Sequence, residues 1–179
     1  MTPCYSTNDI KALIDQYQRS PEFLELSDSL MEQPASIKVL TGIAVSDDVY
    51  PYPQYASHLL LHVSWKNHFL IQSSYNKLID CILTTRNISV QRNLLGVIIN
   101  FPLREYKEGE LLEFLFALVN DPKSKPGQVN YAVRKLAQYI ERYPELLNEL
   151  EVALELREQM GASLSIVAWS KTVLKKKKK

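Results

Sequence analysis

The chain has 179 residues, 46% hydrophobic and 23% charged, with five glycines, nine prolines and two cysteines. That suits one globular domain with a sizeable core, and it excludes a disulfide-stapled scaffold or a turn-rich β protein. The formal net charge is +1, but five of the 21 basic residues are Lys175–Lys179; without them 16 basic residues face 20 acidic ones, a balance of −4.

Helical spacing dominates from the start. Ile10, Leu13, Ile14 and Tyr17 follow i, i+3, i+4, i+7 and predict a helix over 8–19. Ser20 before Pro21 reads as an N-cap followed by a first-turn proline. Phe23, Leu26, Leu30 and Met31 carry the next helix, over 21–32, which Pro34 is expected to stop. Ile37, Leu40, Ile43 and Ala44 mark one over 36–46. The segment Asp47 to Pro53 reads as a loop, because Pro51 and Pro53 disfavour α geometry at Tyr50 and Tyr52.

Tyr55, Ala56, Leu59, Leu60 and Val63 then face inward on a helix over 53–66. Leu70, Ile71, Leu78, Ile79 and Ile82 predict a further helix over 69–84. Val90 to Phe101 carries another over 88–101. Leu111, Leu112, Leu115, Leu118 and Val119 mark 109–120, and Val129 to Tyr143 marks 128–143. Pro144 is expected to open a helix over 145–160, with Gly161 as its C-terminal cap. A last helix is expected over 163–174.

Several of these helices are apolar on more than one side, as with Phe114, Phe116, Val152 and Leu156. A bundle helix needs one apolar stripe; a helix sandwiched between two neighbours needs two. The equivalent starts Tyr55, Val90 and Val129 lie 35 and 39 residues apart, close to the ~40 residues of a two-helix repeat. The expected fold is therefore all-α, an α–α superhelix of the HEAT/ARM type. About four hairpins (21–32 with 36–46, 53–66 with 69–84, 88–101 with 109–120, 128–143 with 145–160) would be capped by 8–19 and 163–174. The expected organisation is one repeat domain over 1–174 and a disordered poly-Lys tail over 175–179.

The stretches YASHLLLHVSWKNHFL, SVQRNLLGVI and VNYAVRKLAQYIERYPELLNEL, with the closing EQMGASLSIVAWSKTVLKK, resemble short bacterial HEAT-like repeat proteins of unassigned function. The resemblance spans about residues 20 to 175. It implies an α–α superhelix and supplies no activity. The Tyr-Pro loop at 49–53 departs from that group, which usually has a charged connection there. Some similar proteins carry the label adenylosuccinate lyase. The residues here do not support it: the SS-x-MP-x-K-x-N signature is absent, and its nearest text, Ser73-Ser74, falls in a predicted helix.

No catalytic constellation stands out. The three histidines all lie within 58–68, and there is no Gly-x-Ser-x-Gly elbow and no Gly-rich phosphate loop. His58 and His62 share a helix face, but no Glu or Cys on a neighbouring turn completes a metal-ligand set, so neither metal nor cofactor is expected. The two cysteines, Cys4 and Cys81, do not suggest a disulfide framework.

Tyr50, Tyr52, His58, His62 and Trp65 form a candidate aromatic patch for a partner, since aromatics bury large area at low entropy cost. The bland reading is a Tyr-Pro loop packed over its own repeat. Glu145, Glu149, Glu151, Glu155 and Glu158 give the 145–160 helix an acidic surface: a solvated face, or a dock for a basic partner. Asn76, Lys77, Asp80, Glu110, Glu113, Asn148 and Glu149 are candidate residues of a concave groove lined by 69–84, 109–120 and 145–160. Lys175–Lys179 could touch phosphates or anionic lipid, or serve only as a solubilising end.

The reading that results is a non-enzymatic module that binds another protein. The alternative is a nucleic-acid-binding protein similar to HEAT-like DNA alkyl-base glycosylases. That would require a basic concave track, whereas the body is acidic and Arg86, Arg92, Arg134, Lys135 and Arg142 are scattered over the predicted outer helices. Met1 to Asp9 lacks the apolar core of a signal peptide, and no run reaches the ~18 apolar residues of a membrane span. A cytoplasmic location without membrane insertion is the default expectation, and the oligomeric state stays open.

Overall fold

The computed structural model describes residues 4–161. The expected helix over 163–174 and the tail 175–179 lie outside the described residues. Every regular element among those described is helical: α1 (Thr7–Tyr17), α2 (Leu26–Met31), α3 (Pro34–Ala44), α4 (Tyr52–Asn67), α5 (Tyr75–Thr84), α6 (Ile88–Ile98), α7 (Glu108–Asn120), α8 (Pro126–Tyr139) and α9 (Leu146–Gln159), with short 3₁₀ turns between some of them. Packing divides the chain into two compact units, the boundary falling between Phe101 and Pro102. The single repeat domain over 1–174 remains an expectation.

Local chemistry accounts for most helix ends. Ser6 and Asp9 form a reciprocal capping box at α1, with Ser6 N donating to Asp9 Oδ2 at 2.8 Å and Asp9 N donating to Ser6 Oγ at 3.2 Å. Ser20 caps the 3₁₀ turn Pro21–Glu25 as expected, accepting from Glu22 N. Asn87 Oδ1 caps α6 by accepting from Ser89 N and Val90 N. Gly161 follows α9 with a φ of +81°, the left-handed conformation that releases a helix C-terminus.

Three expectations about helix limits are corrected. Pro34 does not stop α2; it is the first residue of α3, where its missing N–H costs nothing. Tyr52 and Pro53 belong to the first turn of α4 rather than to the loop, for the same reason. The helix expected over 69–84 starts only at Tyr75. The 3₁₀ turns His68–Leu70 and Gln72–Ser74 precede it, with buried Ile71 as the anchor between them. Ser73 and Ser74 are short polar residues whose side chains compete for backbone partners and weaken a helix.

In the N-terminal unit α4 is the central element. It packs chiefly against α3 and α6 and also against α1 and α2, while α5 packs on α6. The hairpin expected between 53–66 and 69–84 is thus out of phase: α4 pairs with the helix before it, and α5 with the helix after it. Being enclosed by neighbours, α4 buries Ala56, Leu59, Leu60, Leu61 and Val63, more than one face of the helix. A helix enclosed in this way needs two apolar faces; of the residues that suggested such burial in the sequence only Phe116 is buried, and Val152 and Leu156 are each 46% exposed.

Polar rungs set the register of that stack. Asn93 Nδ2 donates to Ser57 Oγ at 3.1 Å, and Asn100 Nδ2 donates to Ser64 Oγ at 3.1 Å. Both pairs are 36 residues apart, so two turns of α4 meet α6 and the turn that follows it at a constant offset. Ser57 and Asn93 are buried, which makes their pairing obligatory. Asn93→Ala is expected to lower stability by ~1–2 kcal/mol, the usual cost of orphaning a buried polar partner. A double-mutant cycle with Ser57→Ala in urea checks this; a coupling energy near zero would contradict the rung.

In the C-terminal unit α7 packs against both α8 and α9, and α8 against α9. Leu111, Leu115, Val119, Val129, Val133, Leu136, Leu150 and Leu154 form its core. Glu108 ties the start of α7 to the turn that follows α8. Its carboxylate accepts from Arg142 Nη1 at 2.9 Å and from Tyr143 Oη at 3.1 Å.

Candidate functional site

Residues spaced three or four apart on one α-helix share a face, and along α4 that face carries rings. Tyr55, His58, His62 and Trp65 follow one another along it, and the neighbouring elements extend the row. Tyr50 meets Tyr55 at 6.4 Å between ring centroids, and Phe23, from the 3₁₀ turn before α2, meets Tyr55 at 5.2 Å and His58 at 5.9 Å. His58 meets His62 at 5.0 Å, and His62 meets Trp65 at 4.7 Å. Phe23 is buried and anchors the row from below, whereas Tyr50 is 67% exposed and Trp65 53% exposed. The result is a ladder of rings with wet ends and a half-buried middle.

Burial holds both imidazoles below the ordinary histidine value. The neighbouring His62 and Arg92 add to this at His58, and Lys66 does so at His62. Both rings are therefore mainly neutral at pH 7. Each can lend a nitrogen lone pair, but among the described residues no three His, Cys, Asp or Glu side chains stand together to hold a metal ion.

The structure unites four of the five aromatic-patch residues and separates one. Tyr50, His58, His62 and Trp65 share the ladder. Tyr52 leaves it: its hydroxyl donates to Asp15 Oδ2 at 3.0 Å, and Lys11 Nζ lies 4.8 Å from its ring centroid. Lys11 also pairs with Asp48, so α1 is tied both to the first turn of α4 and to the α3–α4 loop. Two further members of the ladder are not evident from the sequence. Tyr55 fits the helical spacing of the row, but its apolar neighbours assign it to the core. Phe23 lies 32 residues before Tyr55 in sequence and carries no local signal.

An open cleft of about 760 Å³ lies elsewhere in the same unit, lined by Val45, Asp47, Lys77, Asp80, Cys81 and Arg86 among others. Of the expected groove residues, Lys77 and Asp80 are here. Burial pushes the Cys81 thiol up to about 11, with Asp47 adding to the shift, so it stays protonated at neutral pH. An activated nucleophilic cysteine requires a lowered value.

In the C-terminal unit, Asn148 and Glu149 line a cavity of about 440 Å³ with Asn120, Val152 and Leu156. Glu110 and Glu113 on α7 and Glu145 before α9 are exposed. The structure does not gather these carboxylates around any reacting centre.

A HEAT repeat domain family model matches residues 18–177. The chain belongs to the HEAT repeat domain family. The all-α, HEAT/ARM-like fold class expected from the sequence therefore stands. No curated protein and no solved structure is significantly similar to the chain. HEAT repeat domains are generally scaffolds rather than catalysts. No described helix of this HEAT repeat chain is long and apolar enough to cross a membrane.

Proposed function

We propose that this HEAT repeat chain is a non-enzymatic scaffold that binds another protein, and that the partner docks on the ring ladder of α4. The observation that carries the reading is the ladder itself: Tyr50, in the turn before α4, and Trp65, on α4, stand exposed at its ends, and α4 is braced by α2, α3 and α6. Tyrosine and tryptophan dominate binding hot spots because they bury a large, rigid, amphipathic surface. A braced helix presents them with little ordering cost. The proposal extends to a cytoplasmic setting and to the absence of a cofactor.

The test is affinity capture with the full chain, comparing wild type with Tyr50→Ala/Trp65→Ala. Both side chains are exposed, so the helical content by circular dichroism is expected to be unchanged. Loss of one or two hot-spot rings is expected to weaken the captured partner at least tenfold, about 1.4 kcal/mol or more. Equal recovery by both forms would remove the ladder from the interface. A second reading places the partner on the acidic surface formed by Glu110, Glu113, Glu145 and Glu149, all exposed. Charge reversal of Glu145 and Glu149 to Lys would then abolish capture while Tyr50→Ala/Trp65→Ala would not.

A further inference from the structure

We infer that the ring ladder of α4 takes an acidic polypeptide segment that also carries apolar side chains, the rings holding the apolar groups and Arg19, Arg92 and Lys66 the carboxylates. This deepens the scaffold reading and rests on it.

The argument is charge complementarity around an otherwise apolar row. Lys66 stands one turn beyond His62 on α4, Arg92 adjoins Asn93, which bonds Ser57 beside His58, and Arg19 precedes Ser20, the cap of the turn whose Phe23 meets Tyr55. The cations thus follow the ladder from one end to the other. All three side chains are exposed and able to turn toward a ligand. Lys66 already holds Asp28 at 2.6 Å, and the Arg92 guanidinium donates to Asn93 Oδ1 at 3.1 Å. Neither arginine has a carboxylate within ion-pair reach among the described residues. Arginine is the side chain best suited to hold a carboxylate at an interface, because its planar fork matches both oxygens.

The same row is poorly made for single-stranded nucleic acid, the other polyanion that pairs rings with cations. Base stacking requires free ring faces. Here the ladder's rings meet mostly edge to face, at 60° to 83°, so each ring covers part of its neighbour's face. Three cations are also few for a phosphate backbone on a body that carries −4 without its terminal lysines. A short peptide needs only a few carboxylates and one or two apolar anchors.

The test is a random-peptide display selection on the full chain, run in parallel on Trp65→Ala and on Arg19→Glu/Arg92→Glu, followed by calorimetry with the enriched peptides at physiological salt. Wild type is expected to enrich peptides of net negative charge with interspersed apolar residues. Trp65→Ala should lose them, and Arg19→Glu/Arg92→Glu should bind them at least tenfold more weakly. Peptides that depend on Trp65 but are neutral or basic, or that bind the charge-reversed form equally well, would overturn the acidic partner and leave the scaffold reading standing. If no selected peptide depends on Trp65, the ladder is not a peptide site, and docking on the ladder falls with the inference. A labelled 20-nucleotide thymidine strand that binds more tightly than every enriched peptide, and loses binding in Trp65→Ala, would replace the peptide by nucleic acid.

Discussion

Replacing Arg157 with leucine is expected to lower the stability of the chain by ~3 kcal/mol, the range for removing one partner of a buried, charged hydrogen-bond network. Arg157 rises from α9 and is buried. Its Nη1 donates to the Val119 carbonyl at 2.9 Å and the Asp121 carbonyl at 2.6 Å, and its Nη2 donates to the Ser124 carbonyl at 3.0 Å. Val119 lies in the last turn of α7, and Asp121 is its C-cap. The last carbonyls of a helix have no partner within it and gather partial negative charge. One guanidinium meets both needs and also pins the loop that leads to α8.

Leucine would fill part of the volume but leave the Val119 and Ser124 carbonyls without their donor, while Asp121 keeps only the Ser124 N–H at 3.0 Å. Burial lowers the Arg157 value, yet an arginine begins so high that it remains charged at any ordinary pH. The measurement is urea unfolding of wild type, Arg157→Leu and Arg157→Lys. Lysine reaches as a single point and is expected to recover only part of the loss. A drop below ~1 kcal/mol for leucine would show that water replaces the guanidinium without penalty.

Lys135 carries the second large effect. It is fully buried in α8, and its Nζ donates to Gln138 Oε1 at 2.9 Å. Its ammonium lies 5.9 Å from the Tyr139 ring centroid. Loss of hydration pushes its value down to about 8. In the unfolded chain lysine titrates near its ordinary value of 10.5. Between these two values the unfolded chain binds a proton that the folded chain has released. Stability is therefore expected to rise with pH across that window and to be flat in this contribution below it.

The size of the effect, converted at 1.36 kcal/mol per pH unit, is about 3 kcal/mol. Methionine at this position keeps the volume and removes the titration. The difference in stability between wild type and Lys135→Met should thus move by about 3 kcal/mol in favour of wild type from below pH 8 to above pH 10. Other titrating groups are common to both chains and cancel. A difference that stays constant over that range would show that Lys135 is solvated in the folded state.

Much of this architecture is legible in the amino-acid sequence. Ile10, Ile14, Leu40, Leu60, Leu94, Leu115, Leu136 and Leu150 fall on the predicted inner faces, and all are buried. Helix caps at Ser20 and Gly161 are equally legible, because capping is chemistry between near neighbours in sequence. The phase of the hairpins is not. Period and stripe width are the same whether a helix pairs with the one before it or the one after it. The choice between the two rests on packing between side chains of different helices, which here sets α4 on α3 and α5 on α6.

The candidate site divides in the same way. The spacing of His58, His62 and Trp65 on one face, with Tyr50 close by, is a property of the sequence. That Tyr52 turns to Asp15 while Phe23 slides beneath Tyr55 and His58 depends on how α1 and α2 lie against α4.

Taken alone, then, the order of residues determined the helical class, the repeat period of nearly 40, the acidic body and the ring-bearing face, since each follows from local spacing or from simple counting. Tertiary structure decided which rings touch, where Arg157 directs its hydrogen bonds and that Lys135 is fully buried. Those outcomes depend on contacts between residues far apart in the chain, whose energies arise only when the helices have found one another.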